Sequence, residues 1–320
     1  MQDFVTTFIS LAIAGDKLDL QEKGLQIAHM DNQSDGPYMP FWERISYPNP
    51  VIKMNDSNRP KPFQSERTCL KSSIYNVHGG VSLLTYTGIN RCHSPIIQAF
   101  GQWTLDLFGV SRQSSTNMSS SSSNLISSDS KNSILKNTKK VIRIVWSSRP
   151  PPDPASPSFA KLTSWQRNRI VYNEKDVIDY TQQQIRQLYE LDSSTTPPMF
   201  EGFDLSNIDI QLESIPFGSL TFENQLKSMA NINILIGMHG AGLVHSLWMT
   251  PNSPQHRVIE LLPRGFGGAF HLKNMAYWMG IKYIPVNVRL IVNTLPVETV
   301  WDALKVELKS ILTSMSQDDR

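Results

Sequence analysis

Three observations predict an α/β fold for this chain. From residue 141 onward, short apolar runs alternate with stretches of helical spacing, which implies a parallel sheet covered on both faces. A serine-dominated break at residues 111–140 divides the sequence into two halves. A glycine-rich turn, Gly237-Met-His-Gly-Ala-Gly242, stands between an apolar strand run and a helix. Ligands of parallel sheets bind at such carboxyl ends of strands.

Bulk properties narrow the class. With 320 residues the chain is long enough for two ordinary domains. Hydrophobic residues make up 40% and charged residues 18%, a globular balance. The net charge is +2 and the basic residues are scattered, which argues against nucleic acid as a partner. The two cysteines, Cys69 and Cys92, form no CxxC, so neither a zinc nor a redox motif is supported. On counting alone they read equally as buried thiols. Asn-x-Ser sequons begin at Asn32, Asn55 and Asn117 and hint at a secretory location.

Taken in order, Phe4 to Gly15 is apolar but too short to span a bilayer, and it reads as an amphipathic helix. No signal cleavage site follows it. The chain is therefore expected either to be cytosolic or to lack its true N-terminus. Leu25–Met30 and Val51–Met54 read as strands, and Ser72–Val77 as a strand running into the turn His78-Gly-Gly80. Pro95 to Leu107 carries Ile96, Ile97, Phe100, Trp103 and Leu107 at helical spacing. Residues 1–110 thus form an N-terminal domain. Residues 111–140 cannot bury enough apolar surface to fold and read as a disordered insert or linker. Residues 141–320 form a C-terminal domain.

Within that domain, Val141–Trp146 is a buried strand. The prolines of Pro150–Pro154 then exclude helix and central strand. Glu174–Tyr189 is a helix with Asn173 as N-cap. Ile208–Leu212, Ile232–Ile236, Val258–Leu262 and Tyr283–Val286 are strands. Phe222–Ala230, Leu243–Met249, Leu272–Trp278 and Val297–Leu312 are the helices between and after them.

The turn after Ile236 carries the chemistry. Its glycines permit positive φ and close approach of a ligand to the backbone. The N–H groups of Gly240, Ala241, Gly242 and Leu243 open a helix, where unpaired donors and the helix dipole favour an anion such as a diphosphate. His239 and His245 flank it and can donate to phosphate oxygens. A tight turn with two incidental histidines would use the same residues. A dinucleotide fingerprint fails because His245 stands at its third-glycine position, and a P-loop fails for want of Gly-Lys-Ser/Thr. Glu260 lies inside the next apolar strand, where a carboxylate must be paired or working. There it could accept from ribose hydroxyls. Arg149 follows the strand Val141–Trp146, and Arg167 and Arg169 precede Asn173. Arginine forks suit a diphosphate.

These segments resemble glycosyltransferase family 61. The resemblance rests on Phe222-Glu-Asn-Gln-Leu-Lys-Ser-Met-Ala-Asn-Ile-Asn-Ile-Leu-Ile-Gly-Met-His-Gly-Ala-Gly-Leu-Val-His245, on Val258-Ile-Glu-Leu-Leu262 and on Ala276–Tyr283. Upstream, Ile144-Val-Trp-Ser-Ser-Arg149, Arg169-Ile-Val-Tyr-Asn173, Cys69–Ile74 and Cys92–Phe100 also fit. The stretch from Cys92 to Phe108 is most similar to the branch that places N-acetylglucosamine on EGF-like domains. Branches acting on O-mannosylated proteins and on plant xylan share the core motif. Val244 departs from the Thr or Ser common there, and the stretch between Arg149 and Arg169 is long, which leaves Arg167 and Arg169 both open as the phosphate contact.

The resemblance implies a GT-B fold, two Rossmann-like domains facing a central cleft. It implies inverting transfer of a sugar, N-acetylglucosamine before xylose, from a UDP-sugar to a protein or glycan hydroxyl. No metal or cofactor is then required, because arginines and helix dipoles offset the departing charge. The donor residues would be Arg149, Arg169, Asn173, His239, Gly240, Ala241, Gly242, Leu243, His245 and Glu260. Asn173 reads equally as cap or donor contact. The catalytic residues would be His239, within the clamp on the leaving group, and a base from the first domain, with Asp35 preferred over Asp31 and His78. The resemblance further implies the lumen of the endoplasmic reticulum or Golgi, a Cys69–Cys92 disulfide, and membrane contact only through an N-terminal segment absent from this chain. A family member without activity, binding UDP or a glycan, is the alternative from another class.

Overall fold

A computed structural model describes residues 27–29, 38–53, 93–112, 139–151, 153, 155–190, 198–263, 270–291 and 293–318. Asp31, Asp35, Cys69, Cys92, His78, the three sequons, the Phe4–Gly15 run and residues 113–138 of the serine-rich break lie outside the described residues.

In chain order the elements begin with β1 (Ala28–His29), α1 (Met39–Ser46), β2 (Ile52–Lys53) and α2 (Pro95–Leu107). Then come β3 (Lys140–Ser147), the short helices α3 (Pro157–Ala160) and α4 (Ser164–Arg167), and α5 (Glu174–Glu190). β4 (Ile208–Ile215), α6 (Phe222–Met229) and β5 (Ile234–Met238) follow, and a 3-10 helix spans Ala241–Trp248. The chain closes with β6 (Arg257–Pro263), α7 (His271–Met279), β7 (Lys282–Val288) and α8 (Glu298–Asp318). β1 and β2 pair in parallel. The remaining strands form one five-stranded sheet in the order β4-β3-β5-β6-β7, every neighbouring pair parallel.

The central strands β3, β5 and β6 are buried on both faces, as their apolar runs require, while the edge strands β4 and β7 expose polar residues. One face, with Ile144, Ile236, Ile259 and Leu261, packs on α5 and α8. The other, with Val145, Leu235 and Val258, packs on α6, the 3-10 helix and α7. The same core takes in Phe41 of α1 and Phe100 and Leu105 of α2. Phe41 stands edge-on to Trp103 at 5.7 Å and to Phe222 at 6.2 Å. The side chains of Gln98 and Asn252 exchange hydrogen bonds of 3.2 and 3.1 Å, and Gln98 also donates to the Trp278 carbonyl. α2 thus shares a core with the C-terminal sheet, across the boundary drawn at residue 110.

Helix starts follow their caps. Thr163 and Gln166 form a capping box before α4, and Thr221 accepts from the Asn224 N–H before α6. Gly280 ends α7 at φ 67° and bonds back to Ala276 and Tyr277. Across the carboxyl end of the sheet runs one row of paired residues, Ser147, Gly237, Glu260 and Pro285. Its small members let the 3-10 helix lie against the strands. A Cβ on Gly242 would come within 1.9 Å of Ser147 Oγ. At the opposite end, Glu307 of α8 accepts from Arg257 Nε at 2.7 Å and Lys282 Nζ at 2.9 Å, which fixes α8 to the starts of β6 and β7. Among the described residues no helix is long and apolar enough to cross a membrane.

Gly101 marks the closest crossing of α2 over the 3-10 helix: an added Cβ would sit 2.2 Å from the Leu247 carbonyl oxygen. Gly101→Ala is therefore expected to destabilise the fold by about 1–3 kcal/mol. Gly218→Ala, where nothing lies within 4 Å, is expected to leave the thermal midpoint almost unchanged. Paired thermal melts of the two variants check this.

Candidate functional site

Strand order locates the site before any side chain is considered. From β3 the chain moves outward to β4, then returns across β3 to β5 and proceeds to β6 and β7. The direction reverses between β3 and β5, and crevices outside such switch points hold ligands in open parallel sheets. Ser148 and Arg149 leave β3 there, and His239 and Gly240 leave β5.

Gly240 has φ 149°, a conformation closed to most side chains. Two guanidinium groups occupy the space that a Cβ would need. That atom would lie 2.0 Å from Arg149 Nη2 and 2.6 Å from Arg169 Nη1. Arg169 Nη1 donates to the His239 carbonyl at 3.0 Å. The Arg149 guanidinium pairs with no carboxylate among the described residues; only its backbone N–H is bonded, to Glu174. Glu174 also accepts from Ser148 Oγ, so the first residue of α5 holds the segment that carries Arg149. Burial lowers the Arg149 pKa, and burial followed by the Arg149 charge brings that of Arg169 down to about 10. Both remain cationic at neutral pH. Two adjacent positive charges with one free fork make an anion site of the kind a diphosphate fills.

Beside them lies a buried polar chain. His239 is 1% and Glu260 0% exposed. His239 Nδ1 contacts Glu260 Oε1, and Tyr283 OH donates to Glu260 Oε2. Burial, then the Glu260 charge, raises the Tyr283 pKa far above its ordinary value, so its proton stays on. The His271 ring at the start of α7 stands edge-on to His239, with centroids 5.3 Å apart. Burial and then the neighbouring His239 lower the His271 pKa. Sequence reasoning missed Tyr283, His271 and Glu174. Glu260 and Tyr283 sit on adjacent strands, and only the register between β6 and β7 brings them together.

The arrangement departs from the sequence reading at several residues. Glu260 does not face the crevice as a ribose acceptor would; both its oxygens are engaged inside the fold by His239 and Tyr283. His245 turns inward as well. Its Nδ1 meets the Gly242 carbonyl at 2.8 Å, its Nε2 meets Gln225 Oε1 at 2.9 Å, and its ring stacks on Phe217 at 4.1 Å. Burial lowers its pKa to about 4. His245 braces the glycine turn and offers no donor to a phosphate. Asn173 does not cap α5 through its side chain, which is spent on Leu295. Its amide donates to the Leu295 carbonyl at 2.8 Å and accepts from the Leu295 N–H at 2.9 Å. The Leu243 N–H is spent on the Gly240 carbonyl at 3.0 Å, which leaves Gly240, Ala241 and Gly242 ahead of the first internal bond of the helix. The helix itself is 3-10, a geometry that aligns residues three apart. Gly242, His245 and Trp248 form that column, with the His245 and Trp248 rings 5.1 Å apart. Between the two candidate arginines the geometry favours Arg169, which is buried; Arg167 is exposed and bonds the Leu162 carbonyl. Among the described residues no three His, Cys, Asp or Glu side chains converge as metal ligands would.

Residues 110–255 match the family model Glycosyltransferase 61. On that match the protein is a glycosyltransferase. The match contains Arg149, Arg169 and the whole turn from Gly237 to His245, while Glu260, His271 and Tyr283 follow it. No curated protein matches the chain. The glycosyltransferase thus carries its two arginines and its glycine turn inside the matched region.

Adjacent charges that repel in the free enzyme predict a measurable response to an anion. Inorganic pyrophosphate at roughly a hundred times its Kd is expected to stabilise the glycosyltransferase by about 2.7 kcal/mol, which raises the thermal midpoint by roughly 4 °C for a chain of this length. Arg149→Ala is expected to remove that rise and to leave the midpoint of the free protein equal or higher. Differential scanning fluorimetry with and without pyrophosphate reads both.

Proposed function

We propose that the glycosyltransferase is an inverting enzyme that moves a sugar, N-acetylglucosamine first and xylose second, from a UDP-sugar to a hydroxyl of a protein or glycan. The carrying observation is the convergence of Arg149 and Arg169 over Gly240 at the switch point of the sheet. In this reading the diphosphate lies against the two guanidinium groups and the turn that follows β5. The acceptor oxygen forms a bond to the anomeric carbon from the face opposite the diphosphate. The bond from that carbon to the phosphate oxygen breaks, and its electron pair leaves with UDP. Arg149 and Arg169 offset the charge that develops on the departing oxygen, the role that fixed cations perform best in a partly dry site. The acceptor proton passes to a base contributed by the first domain, for which Asp35 is the proposed residue. A two-domain GT-B arrangement supplies the cleft in which acceptor and donor meet. No metal and no cofactor take part in this scheme. A protein of this family working on EGF-like domains or on a glycan would act in the lumen of the endoplasmic reticulum or Golgi.

The test is UDP release from a panel of UDP-sugars, with and without folded EGF-like domains. Release from UDP-N-acetylglucosamine that requires the EGF-like domain is the expected result. Arg149→Ala is expected to lower it by 100-fold or more, of the order of 3 kcal/mol of lost transition-state stabilisation. Preference for UDP-xylose keeps the reaction and changes the sugar. Absence of UDP binding overturns the donor site.

A further inference from the structure

The buried carboxylate of Glu260 is unexplained by the donor-binding scheme. Charges this deep are costly unless fully partnered. Here the partners are specific. Tyr283 OH reaches one carboxylate oxygen and His239 Nδ1 the other. An ionised carboxylate only accepts, and Tyr283 keeps its proton, so both neighbours act as donors. The proton on Nδ1 is thereby fixed, and the opposite ring nitrogen, Nε2, points away from Glu260. The backbone of His239 is held too. Its N–H donates to the Leu261 carbonyl at 2.9 Å and its carbonyl accepts from Arg169. The edge-on ring of His271 limits rotation of the imidazole from a further direction. The resulting order, Tyr283 to Glu260 to His239, has the logic of a ligating or catalytic histidine oriented by a carboxylate behind it.

We infer that Glu260 and Tyr283 are positioning residues: with the diphosphate bound, His239 carries a proton on each ring nitrogen, Nδ1–H held by Glu260 and Nε2–H donated to a phosphate oxygen. The inference rests on the donor site proposed above and adds residues beyond the matched family region. It assigns Glu260 a task inside the protein in place of contact with ribose. It also gives Tyr283 a function that its hydroxyl alone performs, so Phe is the informative replacement.

The experiment is a double-mutant cycle on the full chain, read as Kd for UDP by calorimetry. The four proteins are wild type, His239→Ala, Tyr283→Phe and the double variant. His239→Ala is expected to weaken UDP about 10-fold, the loss of one hydrogen bond to a charged group. Tyr283→Phe is expected to weaken it roughly 3- to 5-fold, a fraction of that bond. The double variant should bind as His239→Ala does, because Tyr283 acts only through His239. Glu260→Gln, which retains the shape and an acceptor oxygen for Nδ1, should fall between wild type and His239→Ala. Losses that multiply in the double variant overturn the inference, as does a Tyr283→Phe protein that binds UDP like wild type. A Tyr283→Phe protein with a lower thermal midpoint and unchanged Kd shows a structural role alone and also overturns it. Failure of the wild type to bind UDP is a different result: it removes the donor site itself.

Discussion

The close approach of two arginine side chains to a backbone without a Cβ governs this site. Arg149 and Arg169 both occupy the volume over Gly240, and any other residue there would displace them. Each arginine arrives from a different element, one from the end of β3 and one from the segment before α5. Glu174 at the start of α5 holds the first, and the His239 carbonyl receives the second. The geometry around Gly240 is therefore set by backbone and by fixed partners. Such preorganisation is what makes charges effective when a leaving group departs.

The sheet supplies the rest through its register. Ser147, Gly237 and Glu260 stand in one row, so the strand positions nearest the turn are small on β3 and β5 and charged on β6. Small neighbours allow the 3-10 helix to rest on the sheet. His245 then locks that helix through Gln225 and the Gly242 carbonyl. Two histidines of one motif thus have opposite duties: His239 is held beside the arginines, and His245 is buried as a brace. Both sit beside Gly240–Gly242, the turn whose N–H groups remain ahead of the first helical bond.

Much of the fold was legible because apolar runs and turn residues mark elements directly. α2 falls at Pro95–Leu107 as its spacing predicts, and the strands from β3 to β7 appear where apolar runs stand. β5 begins and ends two residues later than read, since Gly237 and Met238 continue the ladder instead of starting the turn. α1 was not read, although Phe41, Trp42 and Ile45 have helical spacing behind Pro40. Of the candidate site, the segments that bring Arg149, Arg169 and the glycine turn together were legible from local sequence. The inward direction of His245, the tie from Asn173 to Leu295, and the Glu260–Tyr283 contact were not. They depend on which face of a strand a side chain takes and on pairing between distant segments. The choice between Arg167 and Arg169 was of this kind: two residues apart in sequence, one is exposed and the other is buried beside Arg149.

A crystal structure of the full chain with UDP would show where the diphosphate lies. Diphosphate oxygens are expected within hydrogen-bond distance of both the Arg149 and Arg169 guanidinium groups, above Gly240 at the carboxyl ends of β3 and β5. UDP bound elsewhere, with the two arginines empty of any phosphate oxygen, would contradict that placement.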